Sequence, residues 1–291
     1  MSYTSVLKKT GSVPSRENLP IYYDLYAPVN SPGSVLPVVL FVHGFKGFKD
    51  WGAFPDACEE LARAGFAVLA INLSRNGVGQ GMTEFDELEL FAAQTLTGDL
   101  EDIGTVIEAI KTRHISSEKF TLDTDRIAII GHSRGGRTAV AASAEYPEIQ
   151  CLITWSAVAD YNARWSDKMI DDWKNKGFTE IKNARTGQVM KIEKSVYDDA
   201  LENADRLIAL TRIQELHIPS LFIAAKEDES VPSTDSEQLY RKSPSDEKEI
   251  RIIQDTGHTF GVSHPFEEDD FPEPFSEVID LTEGWLLEYL K

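Results

Sequence analysis

The sequence predicts an α/β protein with a mostly parallel central sheet and helices on both of its faces. Two observations carry this prediction. Short apolar, strand-like runs alternate with helical patterns along most of the 291 residues. One of these runs also ends in a serine between glycines, which is typical of a sharp strand-to-helix turn. The length suits a single domain over residues 1–291.

The strand-like runs are short and rich in β-branched residues, as expected for strands covered on both faces. They lie at 36–44, 65–74, 125–133, 151–158, 219–228 and 248–257. The helical patterns between and after them lie at 53–63, 97–113, 135–146, 234–242 and 275–290. The earlier run LPIYYDLYAPV predicts an antiparallel strand at the edge of the sheet.

One connection is too long for a simple crossover between neighbouring strands. Residues 160–217 separate two predicted core strands, which indicates a lid or cap insertion after the strand at 151–158. The insertion carries Trp165, Met169 and Trp173 at a spacing of four, so these side chains share one face of a predicted helix. Two strand-like pieces around Gly187 follow. The aromatic residues either pack inside the insertion or face a substrate.

The composition excludes several classes of partner. There are 48 acidic and 29 basic residues, and the resulting net charge of −19 would repel a nucleic-acid backbone. Cys58 and Cys151 lack metal-ligand spacing and are expected to be small buried hydrophobic residues in a reducing compartment. The N-terminal residues do not resemble a secretory signal, and no segment is apolar enough to span a membrane. We therefore expect a cytoplasmic protein without cofactor or metal.

The segment IIGHSRGG, residues 129–136, contains the pattern G-x-S-x-G. Apolar residues precede it and a helix-forming, alanine-rich stretch follows it, so Ser133 is predicted at the turn between a buried strand and a helix. This context is more informative than the bare pattern, and it makes Ser133 a candidate nucleophile.

A serine nucleophile needs a general base and a carboxylate that orients that base. His258 follows the last predicted strand, at the sheet edge where open α/β folds carry their sites, and is preferred over His264, which is expected at the surface. Asp228, just past the strand before it, is the preferred carboxylate, with Asp160 as the alternative. The order Ser133, Asp228, His258 is the one that G-x-S-x-G hydrolases use.

Acyl transfer also needs N–H donors aimed at the developing oxyanion. One is expected from the backbone of Arg134, directly after the serine and at a helix N-terminus. The second is expected from the FVHGFKGF segment, where Gly44 permits a turn that aims the N–H of Phe45, or alternatively of Lys46, at the site. His43 in this segment is interpreted as structural.

Four motifs in this order, HGFKGF, GHSRGG, KEDESVP and DTGHTF, resemble the α/β-hydrolase fold family, and within it the dienelactone-hydrolase-like and serine-aminopeptidase-like esterases. The resemblance spans nearly the whole chain apart from the insertion. It implies a serine hydrolase in which Ser133, Asp228 and His258 form the triad and Phe45 and Arg134 supply the oxyanion hole. Dienelactone hydrolases use cysteine as nucleophile where this chain has serine, so their activity does not transfer by name.

The function expected from the sequence is hydrolysis of a small carboxylic ester through an acyl-enzyme. Peptide, amide or thioester hydrolysis and a non-catalytic binding role are the alternatives. The net charge favours neutral or cationic substrates over polyanions. The segment GVGQG, residues 77–81, is interpreted as a mobile loop rather than a dinucleotide site. The residues expected to contact substrate are Lys46, Arg75, Asn76, Trp165 and Trp173.

Overall fold

A computed structural model describes residues 5–29 and 33–291. Eight strands form one sheet in the order β1-β2-β4-β3-β5-β6-β9-β10. The β1–β2 and β2–β4 pairs are antiparallel and the remaining neighbours are parallel. The predicted mostly parallel sheet and its antiparallel edge are confirmed, whereas the outermost strand β1 was not predicted.

The strands of the large sheet are β1 (Val6–Pro14), β2 (Pro20–Pro28), β3 (Val35–Val42), β4 (Ala67–Ile71), β5 (Thr121–His132), β6 (Ile149–Trp155), β9 (Ser220–Ala225) and β10 (Lys248–Ile253). The helices are α1 (Phe54–Arg63), α2 (Leu88–Ala92), α3 (Leu96–Lys111), α4 (Arg134–Glu145), α5 (Asp167–Lys176), α6 (Lys194–Glu202), α7 (Ala204–Leu207), α8 (Ala209–Arg212), α9 (Ser233–Lys242) and α10 (Glu273–Tyr289). A two-stranded hairpin consists of β7 (Phe178–Lys182) and β8 (Val189–Glu193).

Alternate residues of the central strands belong to two different cores, because successive strand side chains point to opposite faces of a sheet. On β3, Val38, Leu40 and Val42 pack with α3 and α4, while Val39 and Phe41 pack with α1 and α10. All five are at most 1% exposed. Burial on both faces explains the continuous apolar run in the sequence and holds the carboxyl ends of the strands rigidly in place.

The insertion between β6 and β9 has two parts. Helix α5 and the β7–β8 hairpin form a cap whose apolar residues pack against Phe48, Phe85 and Phe91 of the main body. Helices α6 to α8 instead return to the sheet, where α6 contacts α3 and both α7 and α8 contact α4. The helix and the two strand pieces that the sequence predicted are both present.

The structure also describes the two cysteines and the glycine-rich loop that the sequence analysis considered. Cys58 and Cys151 are both free and buried, as predicted. Residues 77–81 form a loop, held by a hydrogen bond from the N–H of Gly79 to Asp86 Oδ1 at 2.7 Å. Within residues 5–29 and 33–291, no helix is both long enough and apolar enough to cross a bilayer.

Candidate active site

Ser133 lies at the turn between β5 and α4 with φ 57° and ψ −121°, a backbone conformation that non-glycine residues rarely adopt. Its N–H donates a 2.8 Å hydrogen bond to the carbonyl of Trp155 on β6. A Cβ on Gly135 would lie 2.4 Å from the carbonyl oxygens of both Val42 and His43. The glycine after the serine therefore lets α4 approach β3 closely, and this approach places the hydroxyl at the carboxyl end of the sheet.

Three side chains from separate loops form one hydrogen-bonded line. The Ser133 hydroxyl lies 3.0 Å from His258 Nε2, and His258 Nδ1 lies 2.7 Å from Asp228 Oδ2. Because Asp228 accepts the Nδ1 proton, the neutral imidazole presents an unprotonated Nε2 to the hydroxyl. The serine, carboxylate and histidine selected from the sequence are brought together by the fold.

Asp228 is held in its ionised form although it is buried. Burial alone would raise the pKa of its carboxyl, but the hydrogen bond and the charge of His258 together with the N–H groups of Val231 and Ser230 lower this pKa. The two N–H groups donate to Oδ1 at 2.8 Å each, so Oδ2 remains for the histidine. A carboxylate fixed in this way orients the imidazole and stabilises its protonated form.

His132, which precedes Ser133 in the chain, is hydrogen-bonded to the backbone of His258. Its Nε2–H donates a 3.1 Å hydrogen bond to the carbonyl of His258. Burial, with His258 nearby, lowers the pKa of His132 to about 3, which keeps this ring neutral and able to donate. The backbone that carries His258 is thus tied to the loop that carries Ser133.

The two alternatives to the triad have other partners. Asp160 Oδ1 accepts the N–H of Asn162 at 2.9 Å in a local turn. His264 Nδ1 accepts the N–H of Gly52 at 2.9 Å, and its ring packs on Trp51. These contacts leave His264 half-buried.

The loop after β3 orients one peptide group beside the serine. The carbonyl of Gly44 accepts two hydrogen bonds, from His43 Nδ1–H at 2.8 Å and from the N–H of Gly47 at 3.0 Å. In a planar trans peptide the N–H points opposite to the carbonyl, so the N–H of Phe45 points away from both donors. A Cβ on Gly44 would lie 2.9 Å from the Ser133 Cβ, which shows how closely this peptide approaches the serine.

His43 is a neutral support of this loop. Burial lowers the pKa of His43 to about 4. With a proton on Nδ1 for the Gly44 carbonyl, Nε2 is free to accept the N–H of Leu73 at 3.3 Å. The two sides of the ring therefore connect the loop after β3 to the loop after β4.

The side chain of Arg134 makes contacts that sequence reasoning missed. Its guanidinium is buried and donates to Asp99 Oδ2 through Nε at 3.0 Å and through Nη2 at 2.6 Å. It also lies 5.4 Å from the ring centroids of both Phe45 and Tyr161. A buried ion pair thus supports the aromatic side chain of Phe45.

A cavity of about 230 Å³ opens beside the serine. Its lining combines the loop after β3, the start of α1, the triad loops and the turn of the cap hairpin. The lining residues are Gly44, Phe45, Lys46, Gly47, Trp51, Phe54, His132, Ser133, Asn183, Ala184, Arg185, His258 and Thr259. Of the five residues expected to contact substrate, only Lys46 lies in this lining.

The other four expected substrate contacts are structural, so that expectation is wrong for this cavity. Arg75 pairs with Glu17 outside the cavity. Asn76 is buried, and its Oδ1 accepts the N–H of Val78. Trp173 is buried inside the cap, where its Nε1–H donates to the carbonyl of Ile192, and Trp165 packs on it with ring centroids 5.3 Å apart.

Sequence reasoning missed the hairpin turn, residues 183–185, and the aromatic wall of Trp51 and Phe54. The turn belongs to the insertion and lies 50 to 52 residues after Ser133 in the chain. No sequence pattern predicts that it lines the same cavity as the serine. The proximity of Trp51 to the HGFKGF motif was the one signal that could have identified an aromatic wall. Among the described parts of the chain, no cluster of histidine, cysteine or acidic side chains is arranged to hold a metal ion.

The sheet order, the sharp turn at Ser133 and the placement of the site at the carboxyl ends of the strands define an α/β hydrolase. The chain belongs to the family described as "Serine aminopeptidase, S33", whose model matches residues 33–207. The match includes Ser133 and most of the insertion but ends before Asp228 and His258.

Two curated relatives match part of this chain, and fewer than a third of the matched residues are identical. Chlorophyllase type 0 from Chenopodium album is 29% identical over 143 residues, which are 47% of this chain and 38% of that protein. The acylamino-acid-releasing enzyme of Rattus norvegicus is 24% identical over 238 residues, 79% of this chain and 29% of that protein. The chain thus spans less than two fifths of the length of either relative.

Two solved structures show the same fold. The esterase domain of a Rhodothermus marinus protein superposes with a TM-score of 0.67 at 18% identity, covering 98% of this chain and 100% of that one. Est1E from Butyrivibrio proteoclasticus superposes with a TM-score of 0.69 at 18% identity, covering 96% of this chain and 98% of that one.

Proposed function

We propose that this protein is a serine hydrolase that cleaves small carboxylic esters through an acyl-enzyme. The observation that carries the proposal is the continuous line from Ser133 Oγ through His258 to Asp228, with both hydrogen bonds at 3.0 Å or less. A serine hydroxyl is a weak nucleophile at neutral pH, and this arrangement supplies the base that activates it.

In the acylation step, Ser133 Oγ attacks the ester carbonyl carbon while its proton passes to His258 Nε2. The imidazolium then donates this proton to the alcohol oxygen as the carbon–oxygen bond breaks. In deacylation, water loses a proton to His258, attacks the acyl carbon and releases the acid, and Ser133 regains its proton. Asp228 stabilises the imidazolium in both steps.

The negative charge on the tetrahedral intermediate requires donors that are already in place. The backbone N–H groups of Phe45 and Arg134 are the proposed pair. The first is turned by the two hydrogen bonds to the Gly44 carbonyl. The second lies at the first residue of α4, where the helix dipole favours negative charge. The close approach of Gly44 to Ser133 favours the next N–H along the chain, that of Phe45, over that of Lys46.

The insertion is proposed to act as the lid of this site. Its hairpin turn lines the cavity together with Ser133, while its aromatic residues pack against the main body. The lid would exclude water from the acyl-enzyme and select substrates by shape.

The first test measures hydrolysis of 4-nitrophenyl acetate and butyrate by the wild type and by Ser133→Ala. We expect kcat/KM to fall at least about 1000-fold, since removing the nucleophile leaves only binding and the oxyanion donors. Asp228→Asn is expected to lower kcat by a similar order, because the imidazole loses its orienting partner. Ser143→Ala is the control, since this buried serine lies on α4 about 15 Å along the helix from Ser133 and its hydroxyl donates to the carbonyl of Ala139. Equal rates for Ser133→Ala and the wild type would overturn the proposal.

Matched ester, thioester and amide substrates with the same acyl group distinguish the alternative activities. Amide cleavage demands stronger protonation of the leaving group, so a peptidase would retain a much larger share of its activity on the amide. A fluorophosphonate probe addresses the non-catalytic alternative. An activated Ser133 becomes labelled, whereas an unlabelled wild-type protein would support a binding role.

A further inference from the structure

Among the residues that the structure describes, two basic side chains line the cavity beside Ser133, and no aspartate or glutamate does. Lys46 belongs to the loop after β3, and Arg185 lies in the turn of the cap hairpin. Within the described ranges of the chain, neither cation has a carboxylate oxygen within 4.0 Å. Nearby cations differ in this respect, since Lys49 pairs with Asp24 and Asp50.

The cavity is therefore locally positive in a protein with a net charge of −19. An acid-rich chain that leaves two cations unpaired at its candidate active site loses the stabilisation that a nearby carboxylate would give. Two cations without a carboxylate partner suit a site whose ligand itself supplies the carboxylate.

Both cations lie in turns whose backbone is closed by hydrogen bonds. Lys46 has φ 56°, in a loop closed by the hydrogen bond from the N–H of Gly47 to the Gly44 carbonyl. Burial lowers the pKa of the Lys46 ammonium. The N–H of Arg185 donates to Oδ1 of the buried Asn183 at 3.0 Å, which closes the hairpin turn around it. Two turns from different parts of the chain thus bring the half-buried Lys46 and the exposed Arg185 to the same cavity.

The remaining walls restrict the ligand to a small anion with an apolar body. Phe45, Trp51 and Phe54 supply aromatic surface, and the volume is about 230 Å³. A guanidinium presents parallel N–H donors that match a carboxylate, while an ammonium acts as a point charge that neutralises it.

We propose that the substrate is a small ester that carries a free carboxylate, and that Arg185 and Lys46 bind this carboxylate while Ser133 attacks the ester. The inference rests on the proposed hydrolase function and specifies its substrate class. It reverses the preference for neutral or cationic substrates that the net charge suggested, because the local charge of the cavity has the opposite sign to that of the whole molecule.

The test compares substrates that differ in charge but hardly in shape. The first pair is 4-acetoxybenzoate and 4-acetoxybenzamide, with the charge on the alcohol side. The second is the mono-4-nitrophenyl ester of adipic acid and that of adipamic acid, with the charge on the acyl side. For each pair, the ratio of kcat/KM for the anionic to the neutral substrate is measured in the wild type, Arg185→Gln, Lys46→Gln and the double variant.

We expect the wild type to favour the anionic member of at least one pair, and that pair identifies the side on which the charge binds. Arg185→Gln should lower this ratio about 5- to 30-fold, the range for a charge-assisted contact at a partly open site. Lys46→Gln should lower it in the same direction, and added salt should lower it in the wild type. Lys182→Gln is the matched control, since Lys182 is exposed on the same hairpin, outside the cavity lining, and its loss changes the net charge equally.

Two different failures remain distinguishable. Suppose that neutral esters are hydrolysed in a Ser133-dependent way. If Arg185→Gln then lowers the anionic-to-neutral ratio of neither pair by more than Lys182→Gln does, the substrate inference is wrong and the hydrolase function stands. If no ester is hydrolysed and the fluorophosphonate leaves Ser133 unlabelled, the function itself is wrong.

Discussion

Three histidines near the site differ in their contacts although their side chains are identical. His258 is partly exposed and connects a carboxylate to a hydroxyl. His132 and His43 are buried, and burial lowers the pKa of each far enough to keep it neutral. As neutral rings they donate to carbonyls that fix, respectively, the base and the peptide proposed for the oxyanion hole. At the residue scale, environment rather than residue type decides the role.

His43→Phe tests the proposed support of the oxyanion hole. The change removes the donor to the Gly44 carbonyl while retaining a planar ring, so the Phe45 N–H loses one of the two constraints on its direction. We expect kcat to fall about 10- to 100-fold with a much smaller change in KM, since the oxyanion forms only during reaction.

Steady-state kinetics and circular dichroism measure the effect of this change. His43→Asn, whose amide can donate near the position of Nδ1, should recover part of the loss, and His114→Phe at an exposed site serves as control. An unchanged kcat in a folded His43→Phe protein would contradict the assigned support.

The strand–turn–helix unit of β5 and α4 is the element that creates the candidate site. Its close packing against β3 depends on glycines at positions where a Cβ would meet backbone atoms. The cap hairpin is the second element that contributes to the site. Gly187 at φ 74° closes its turn, and Trp173 of α5 holds it by a hydrogen bond from its Nε1–H to the carbonyl of Ile192. The first element presents the serine and the second presents Arg185.

Gly135→Ala is predicted to disrupt the first element. The new methyl group would lie 2.4 Å from two backbone oxygens of β3 and the following loop, which cannot move away without displacing the sheet. We expect a loss of at least about 3 kcal/mol in the free energy of unfolding, or failure to fold. Gly284→Ala in α10, where a Cβ meets no atom within 4 Å, is expected to be neutral or to stabilise by up to about 1 kcal/mol. Urea denaturation compares the two, and similar effects would argue against the close approach.

In the molecule as a whole, buried titratable groups make the free energy of unfolding depend on pH. Burial raises the pKa of Asp102 on α3 to about 7, although its Oδ2 accepts the N–H of Ser74 at 2.7 Å. The folded state therefore retains a proton that the unfolded chain loses above its ordinary pKa of 3.8. By linkage, this residue lowers the free energy of unfolding as pH rises from about 4 to about 7. His43 and His132, with lowered pKa values, act oppositely and destabilise the fold as pH falls below 6.5.

Asp102→Asn isolates the first of these contributions. The amide resembles the protonated acid and does not titrate, so the variant should gain stability relative to the wild type between pH 4 and pH 7, by roughly 2 to 4 kcal/mol. Urea unfolding at several pH values measures the difference. Asp125→Asn at an exposed position should show no comparable trend. A stability difference between Asp102→Asn and the wild type that does not change with pH would contradict the raised pKa.

The sequence patterns predicted the sheet well because their cause is local. The burial of β3 on both faces and the glycines around Ser133 follow from contacts that each residue type makes wherever it occurs. Sequence also indicated Asp228 and His258, since both follow strands and parallel strands end at one edge. The outermost strand β1 was missed, because its half-exposed residues give a weak apolar signal.

The fold class, the turn that carries Ser133 and the chain order of the three side chains that meet there could all be predicted from the amino-acid sequence. The residues that face the serine became known only from the packing of the folded chain. Arg185 of the insertion lines the same cavity as Lys46, while Arg75, Asn76, Trp165 and Trp173 lie in structural positions outside it. Side chains along a helix or strand face the core with a fixed period, and this period can be recognised in the sequence. A contact between two distant loops depends on how whole elements pack, and it produces no periodic pattern in the sequence.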